Sequence, residues 1–259
     1  MIVAQWLPLV DVFDTKAMFI LPQAETAKIA PDLNKLGEGG MGAVWKARDS
    51  RLNRIVALKQ LKEPHGSRFQ QEARAIAALN HPHICQIYDA VADEKEHYIV
   101  TEYVDGGTLE KFCAPDALLP VDKIVEIVFK CTRALEFAHK MGITHRDIKP
   151  ANILHAGGTD VKISDFGAAL ISSGETTQVA AIGSPAYMSP QQVKEHPLNH
   201  QTDIYSVGVV MYHLLCGRLP FQASNNFSLI YQITNVEPSP PSSYRPEIPP
   251  AVDAIVRRA

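Results

Sequence analysis

His145-Arg146-Asp147-Ile148-Lys149-Pro150-Ala151-Asn152, followed by Asp165-Phe166-Gly167, sets two carboxylates, a carboxamide and a lysine along a short stretch of chain. That set suits a metal–nucleotide complex held beside a hydroxyl acceptor. Asp147 is placed to take the acceptor's proton, Lys149 to neutralise charge on a moving phosphoryl group, and Asn152 with Asp165 to bind magnesium. Phosphoryl transfer asks little covalent chemistry of a protein, so positioning and charge neutralisation carry most of the catalysis.

Order and spacing here resemble the catalytic loop and Asp-Phe-Gly segment of the eukaryotic-like (bacterial-type) Ser/Thr protein kinases. The resemblance implies an α+β, bilobal protein-kinase-like fold, with a small β-rich N-lobe carrying one regulatory helix and a larger, mainly helical C-lobe. It implies ATP and Mg2+ as cofactors and Ser/Thr hydroxyls of proteins as acceptors. Lys149 at its position resembles the Ser/Thr rather than the Tyr kinases. Arg146 would offer a guanidinium to a phosphate on the activation loop. His145 and Phe166 would stack with Ile76 and Ile87 as an internal spine.

Towards the N-terminus, Gly37-Glu38-Gly39-Gly40-Met41-Gly42-Ala43-Val44 fits G-x-G-x-x-G-x-V. Glycines let a backbone approach phosphate without side-chain clash. Dinucleotide-binding folds use a similar pattern, but there a helix follows; here a strand-like run leads to Ile55-Val56-Ala57-Leu58-Lys59. Side chains alternate along a strand, so Ala57 and Lys59 share a face. By the resemblance, Val44 and Ala57 sandwich adenine together with Leu154, and Lys59 grips the α- and β-phosphates. Phe69, Ala73, Ile76 and Leu79 fall near helical spacing. The same helix carries Glu72, the implied partner of Lys59. Tyr98 to Val104 resembles the kinase hinge, with the backbone of Glu102 and Val104 facing adenine and Thr101 at the back of the pocket. The nucleotide-binding set is thus Gly37, Gly39, Gly42, Val44, Ala57, Lys59, Glu102, Val104 and Leu154. The catalytic set is Asp147, Lys149, Lys59 and Glu72, with Asn152 and Asp165 for the metal.

Towards the C-terminus, Asp165 to Pro190 is rich in small polar residues and corresponds to the activation loop. Thr176 and Thr177 are the expected autophosphorylation sites. Gly183-Ser184-Pro185-Ala186-Tyr187-Met188 resembles the loop that seats the acceptor, Ser184 keeping a hydroxyl for Asp147 and Lys149. An amphipathic helix is marked by Ile124, Ile127, Val128, Cys131, Leu135 and Ala138. Ile204 to Cys216 is apolar on nearly every side and reads as a buried helix, opened by Asp203, the implied anchor of the catalytic-loop backbone. Pro238 to Pro250 reads as a surface loop, and a last helix begins near Ala251.

The chain has 259 residues, 46% hydrophobic and 20% charged, with a formal net charge of -3, so neither a nucleic acid nor an anionic membrane is an expected partner. No apolar run reaches the length of a membrane span, and a cytoplasmic location is expected. Cys85, Cys113, Cys131 and Cys216 are far apart and form no C-x-x-C pair, which favours reduced thiols. Residues 1–30 follow no clean period and read as an N-terminal extension of unknown order. The kinase domain occupies 31–259 and takes shape near Leu33, its N-lobe running to about 104 and its C-lobe from about 105 without the last helices.

Three departures from the family pattern stand out. Ser189-Pro190-Gln191 carries Gln where a glutamate is usual, the helix bearing that glutamate's arginine partner is absent, and Ala151 stands where kinases preferring basic substrates often carry Glu. A C-terminally truncated kinase domain is therefore expected, with an apolar face of the larger lobe left open. The leading reading is a Ser/Thr protein kinase with activation-loop autophosphorylation, a second copy serving as partner in trans. The alternative is a nucleotide-binding pseudokinase or scaffold; retention of Lys59, Asp147 and Asp165 argues against it. A small-molecule phosphotransferase fits less well, because such sites usually lack the His-Arg-Asp-x-Lys loop.

Overall fold

Alternation along one strand organises the smaller lobe. In the computed structural model, which describes residues 29–39, 42–49, 52–61, 69–92, 97–166 and 185–259, β1 (Ile29–Gly39), β2 (Gly42–Asp49), β3 (Arg54–Leu61), β4 (Ile87–Ala92) and β5 (His97–Glu102) form one antiparallel sheet. Its order is β1-β2-β3-β5-β4. Trp45, Ala47, Val56, Leu58, Tyr98 and Val100 pack together on one face. Register puts Val44 opposite Lys59, Lys59 opposite Ile99 and Ala57 opposite Thr101, so these five side chains share the other face. Helix α1 (Phe69–Ala77) buries Ala73 and Ile76. Residues 1–28, most of the expected extension, lie outside the described residues.

The larger lobe is helical. Its members are α2 (Val121–Lys140), the short α3 (Pro190–Val193), α4 (Gln201–Cys216), α5 (Asn226–Asn235) and α6 (Pro250–Arg258). The hairpin of β6 (Ile153–Gly157) and β7 (Asp160–Ile163) completes it. On α2, Ile124, Ile127, Cys131, Leu135 and Ala138 are buried, the face read from the sequence, joined by Ala134. Helix α4 is buried almost all round and ends at Gly217 in the left-handed region, φ 70°. A glycine serves there because a Cβ would lie 2.8 Å from the Pro115 backbone.

One continuous core joins Ile76, Ile99, Ile84, Ile153, Ile163 and Phe166 to α2 and α4. Backbone bonds reinforce the join: Cys85 N–H donates to Ile163 O (2.8 Å) and Ile163 N–H to His83 O (2.9 Å), while a ring nitrogen of His83 meets Val161 O at 2.9 Å. The segment 83–85, which follows α1, is thereby stitched to β7. Phe129, Phe227, Tyr231 and Ile255 remain exposed on α2, α5 and α6. All four cysteines are free, and burial pushes the Cys85, Cys113 and Cys131 thiols up to about 12. His196 and His200 stand four apart, yet no group of three metal-ligating His, Cys, Asp or Glu side chains occurs among the described residues. No helix among them is long and apolar enough to cross a membrane.

Candidate active site

The loop between α2 and β6 takes its shape from Asp203, a fully buried carboxylate in the first turn of α4. Asp203 accepts from His145 N–H (2.8 Å), Arg146 N–H (2.7 Å) and His139 Nε2 (2.8 Å). Arg146 can then hold φ 68°, a left-handed conformation that costs a non-glycine residue about 1–2 kcal/mol. Gln192 donates to Arg146 O (2.8 Å) and forms a capping box with Ser189 at the start of α3. Ser-x-x-Gln ahead of a helix was the sequence signal for that cap. The departure at Gln191 sits one residue away from this contact. Arg146 Nε is buried with no partner among the described residues, a donor left over beside the loop.

Asp147 and Asn152 close the loop on each other. Asn152 Nδ2 donates to Asp147 O (2.8 Å) and to Asp147 Oδ2 (2.9 Å), which fixes the carboxamide with Oδ1 turned the other way. Lys149 Nζ lies 2.9 Å from the same Asp147 Oδ2. His145 Nδ1 accepts from Asp147 N–H (3.2 Å), so Nε2 carries the proton given to Ser164 O (2.9 Å). Its ring meets Phe166 at 4.5 Å between centroids, with Ile76 and Ile87 in the same core.

Lys59 Nζ reaches Asp165 Oδ1 at 2.5 Å. Burial alone would raise the Asp165 carboxyl, but the charge and hydrogen bond of Lys59, with His145 and Lys149 nearby, hold it below the ordinary carboxylate value. Asp165 also sits in the left-handed region, φ 64°. Glu72 lies on α1, but its side chain is outside the described residues, as are Gly167, Thr176, Thr177 and Ser184.

Val44, Ala57 and Thr101 line the sheet face that carries Lys59. Leu154 is half-buried, opposite in alternation to the buried Ile153 and His155, and bridges to Thr108. At the hinge, Glu102 N–H is committed to Gln86 O (2.8 Å) and the Glu102 carboxylate to Lys162 (3.1 Å). Val104 follows β5 with no hydrogen bond to the described residues. Gly39 pairs with Gly42 across the β1–β2 turn. Gly42, at φ 147°, would place a Cβ 1.7 Å from Gln60 O, so β3 itself demands this glycine; Gly37 has open space instead.

His155 is a residue that sequence reading passed over. Both ring nitrogens are buried with no partner among the described residues, and the ring packs on Phe112 at 5.2 Å. Burial, then the nearby Lys111 charge, lowers its pKa. An unsatisfied buried donor costs about 1–3 kcal/mol. His155→Leu should therefore raise Tm at neutral pH, by about 2–12 °C for a chain of this size. The folded state favours the neutral ring, so the wild type should lose stability as pH falls below the ordinary value of 6.5 and the variant should lose less. Thermal melts on both sides of that pH check it; an unchanged or lower Tm at neutral pH would count against the orphaned imidazole.

The arrangement thus sets one lysine–aspartate pair, Lys59–Asp165, and a second lysine beside a second aspartate, Lys149–Asp147, next to the end of the β6–β7 hairpin where β6 begins and β7 ends. Comparison with known proteins identifies the class. The family description "Protein kinase domain" matches residues 31–253, and the chain belongs to that family. It is 42% identical over 238 residues to a probable serine/threonine-protein kinase of Streptomyces coelicolor, covering 86% of this chain and 35% of that protein. It is 41% identical over 237 residues to serine/threonine-protein kinase PknB of Mycobacterium leprae, covering 86% and 38%. Among solved structures it resembles the crystal structure of Rad53 1-466 in complex with AMP-PNP, with TM-score 0.74, 28% identity, and coverage of 88% of this chain and 60% of that one. The chain therefore spans little more than a third of the length of these curated relatives.

Proposed function

We propose that this chain is the catalytic unit of a Ser/Thr protein kinase that transfers the γ-phosphate of ATP to protein hydroxyls. The carrying observation is that Lys59 with Asp165, and Lys149 and Asn152 with Asp147, come together at one end of the β6–β7 hairpin. In this reading the kinase domain occupies residues 31–259 and residues 1–30 form an extension. Val44, Ala57 and Leu154 would enclose adenine, with the Glu102 and Val104 backbone along its edge. Gly37, Gly39 and Gly42 would cover the phosphates and Lys59 would pair with them, with Glu72 as the proposed partner of that lysine.

The donor set fits magnesium: the Asp165 carboxylate and Asn152 Oδ1, which has no hydrogen bond among the described residues, are hard oxygen ligands, and this ion is commonly held by one or two carboxylates together with substrate phosphates. Asn152 and Asp165 would hold that ion, which supplies charge neutralisation on the nucleotide. Asp147 would orient the acceptor hydroxyl and receive its proton, while Lys149 balances charge on the transferring group. Thr176 and Thr177 are the proposed autophosphorylation sites, with a second copy acting in trans, protein substrates as partners and the cytoplasm as the site of action. Arg146 Nε, which has no partner among the described residues, supports a phosphate-responsive role for that loop.

The test is the intact mass of the purified chain after incubation with MgATP, with Asp147→Asn alongside. Added phosphate on the wild type alone is the expected result, and fragment mapping then locates it. MgATP binding in thermal shift with no transfer, to itself or to a Ser/Thr peptide, would point to a nucleotide-binding scaffold instead.

A further inference from the structure

Tyr187 ends the 3-10 turn Pro185–Tyr187, which directly follows Ser184 in the segment resembling the acceptor-seating loop. Its hydroxyl meets His213 Nδ1 of α4 at 2.8 Å, with the rings 6.1 Å apart. Burial first, then Cys113 and Glu110 nearby, raises the Tyr187 pKa, so the phenol keeps its proton and donates. His213 must then present a bare Nδ1, with its proton on Nε2. The same turn is held by Ser206 Oγ donating to Tyr187 O (2.9 Å) and by Met188 N–H donating to Pro185 O (3.0 Å). Of these contacts, only the one to His213 depends on a group that titrates near neutral pH.

We propose that His213 is a positioning residue for the phosphate acceptor: its Nδ1 clamps Tyr187, and thereby the acceptor-seating loop, to α4, and acid opens the clamp. This rests on the kinase reading above. A protonated ring carries N–H at both nitrogens and cannot accept from a phenol. Besides His213, α4 carries Asp203, Tyr205, Tyr212 and Cys216, none of which shifts Tyr187 or His213; Glu110 and Cys113, from the turn at 109–113, act on Tyr187. Burial lowers the His213 pKa, which keeps the clamp closed at neutral pH. The effect should fall on acceptor binding. Lys59, Asp165 and the nucleotide face of the sheet have no part in it.

Initial rates of the full chain decide it, with a serine peptide free of His, Asp and Glu, from about pH 8 down to about pH 5. In the wild type, KM for the peptide should climb in acid more than KM for ATP. His213→Leu should raise the peptide KM roughly tenfold at neutral pH, the loss of about one hydrogen bond, and flatten its pH dependence. His213→Gln should restore the low KM without the acid rise, because an amide oxygen accepts from the phenol and does not titrate. Tyr187→Phe should match His213→Leu. An acid rise that persists in His213→Gln, or an unchanged KM in His213→Leu, overturns the proposal. If the wild type transfers no phosphate, the kinase reading fails separately, and the clamp is read from imidazole 15N shifts. A bare Nδ1 in the wild type and a raised His213 pKa in Tyr187→Phe support it; identical titrations in the two proteins sink it.

Discussion

Asp147→Asn should still bind MgATP and transfer phosphate at least about 100-fold more slowly, the usual loss when a positioned general base is removed. The substitution spares the scaffold. Asn152 Nδ2 keeps its bond to Asp147 O, the loop keeps its Asp203 anchor, and the amide oxygen of the variant can still accept from Lys149 or Asn152. What disappears is the negative charge that orients a hydroxyl and takes its proton. Single-turnover rates on a serine peptide, with MgATP thermal shifts in parallel, measure the two halves separately. Turnover equal to wild type would remove Asp147 from the chemistry. Loss of the thermal shift would mean that it also shapes the nucleotide site.

Asp203→Ala should be the most destabilising single change in the larger lobe. It strands three donors, His145 N–H, Arg146 N–H and His139 Nε2, around a site with no solvent exposure. Removing one side of such a buried charged network costs about 3–5 kcal/mol. For a chain of this length that lowers Tm by roughly 6–20 °C. Asp203→Asn should fall between, since one oxygen can still accept while its NH2 faces a donor. Thermal denaturation followed by circular dichroism reads both. A drop of less than about 2 °C for the alanine variant would show that the loop finds other acceptors.

Much of the site could be read from sequence because its parts are local. Asp147, Lys149 and Asn152 lie in one loop that closes on itself, and Ala57 with Lys59 needs only the alternation of a strand. The buried helix and the amphipathic face of α2 followed from periodicity for the same reason. What periodicity could not supply was pairing across the lobes. Glu72, the partner expected for Lys59, has its side chain outside the described residues; the partner seen among them is Asp165, 106 positions away, just beyond β7, which is joined to residues 83–85. His139 as a third donor to Asp203 is likewise a helix-to-helix contact. His155 and His213 carried no signal because alternation and helical period register only apolar or polar. They do not show whether a ring nitrogen finds a partner; among the described residues His213 has one and His155 has none.

The bonds from Cys85 and His83 to Ile163 have a mechanical consequence. Any rotation of the sheet that keeps them intact must turn about residues 83–85, so these residues act as a fulcrum and α1 as the arm that ends beside it. Displacement grows with distance from a fulcrum: the end of α1 near Leu79 stays nearly still while its Phe69 end swings furthest. A small angular change would thus become a large travel for the far end of the arm, with the bonds of residues 83–85 to β7 left intact.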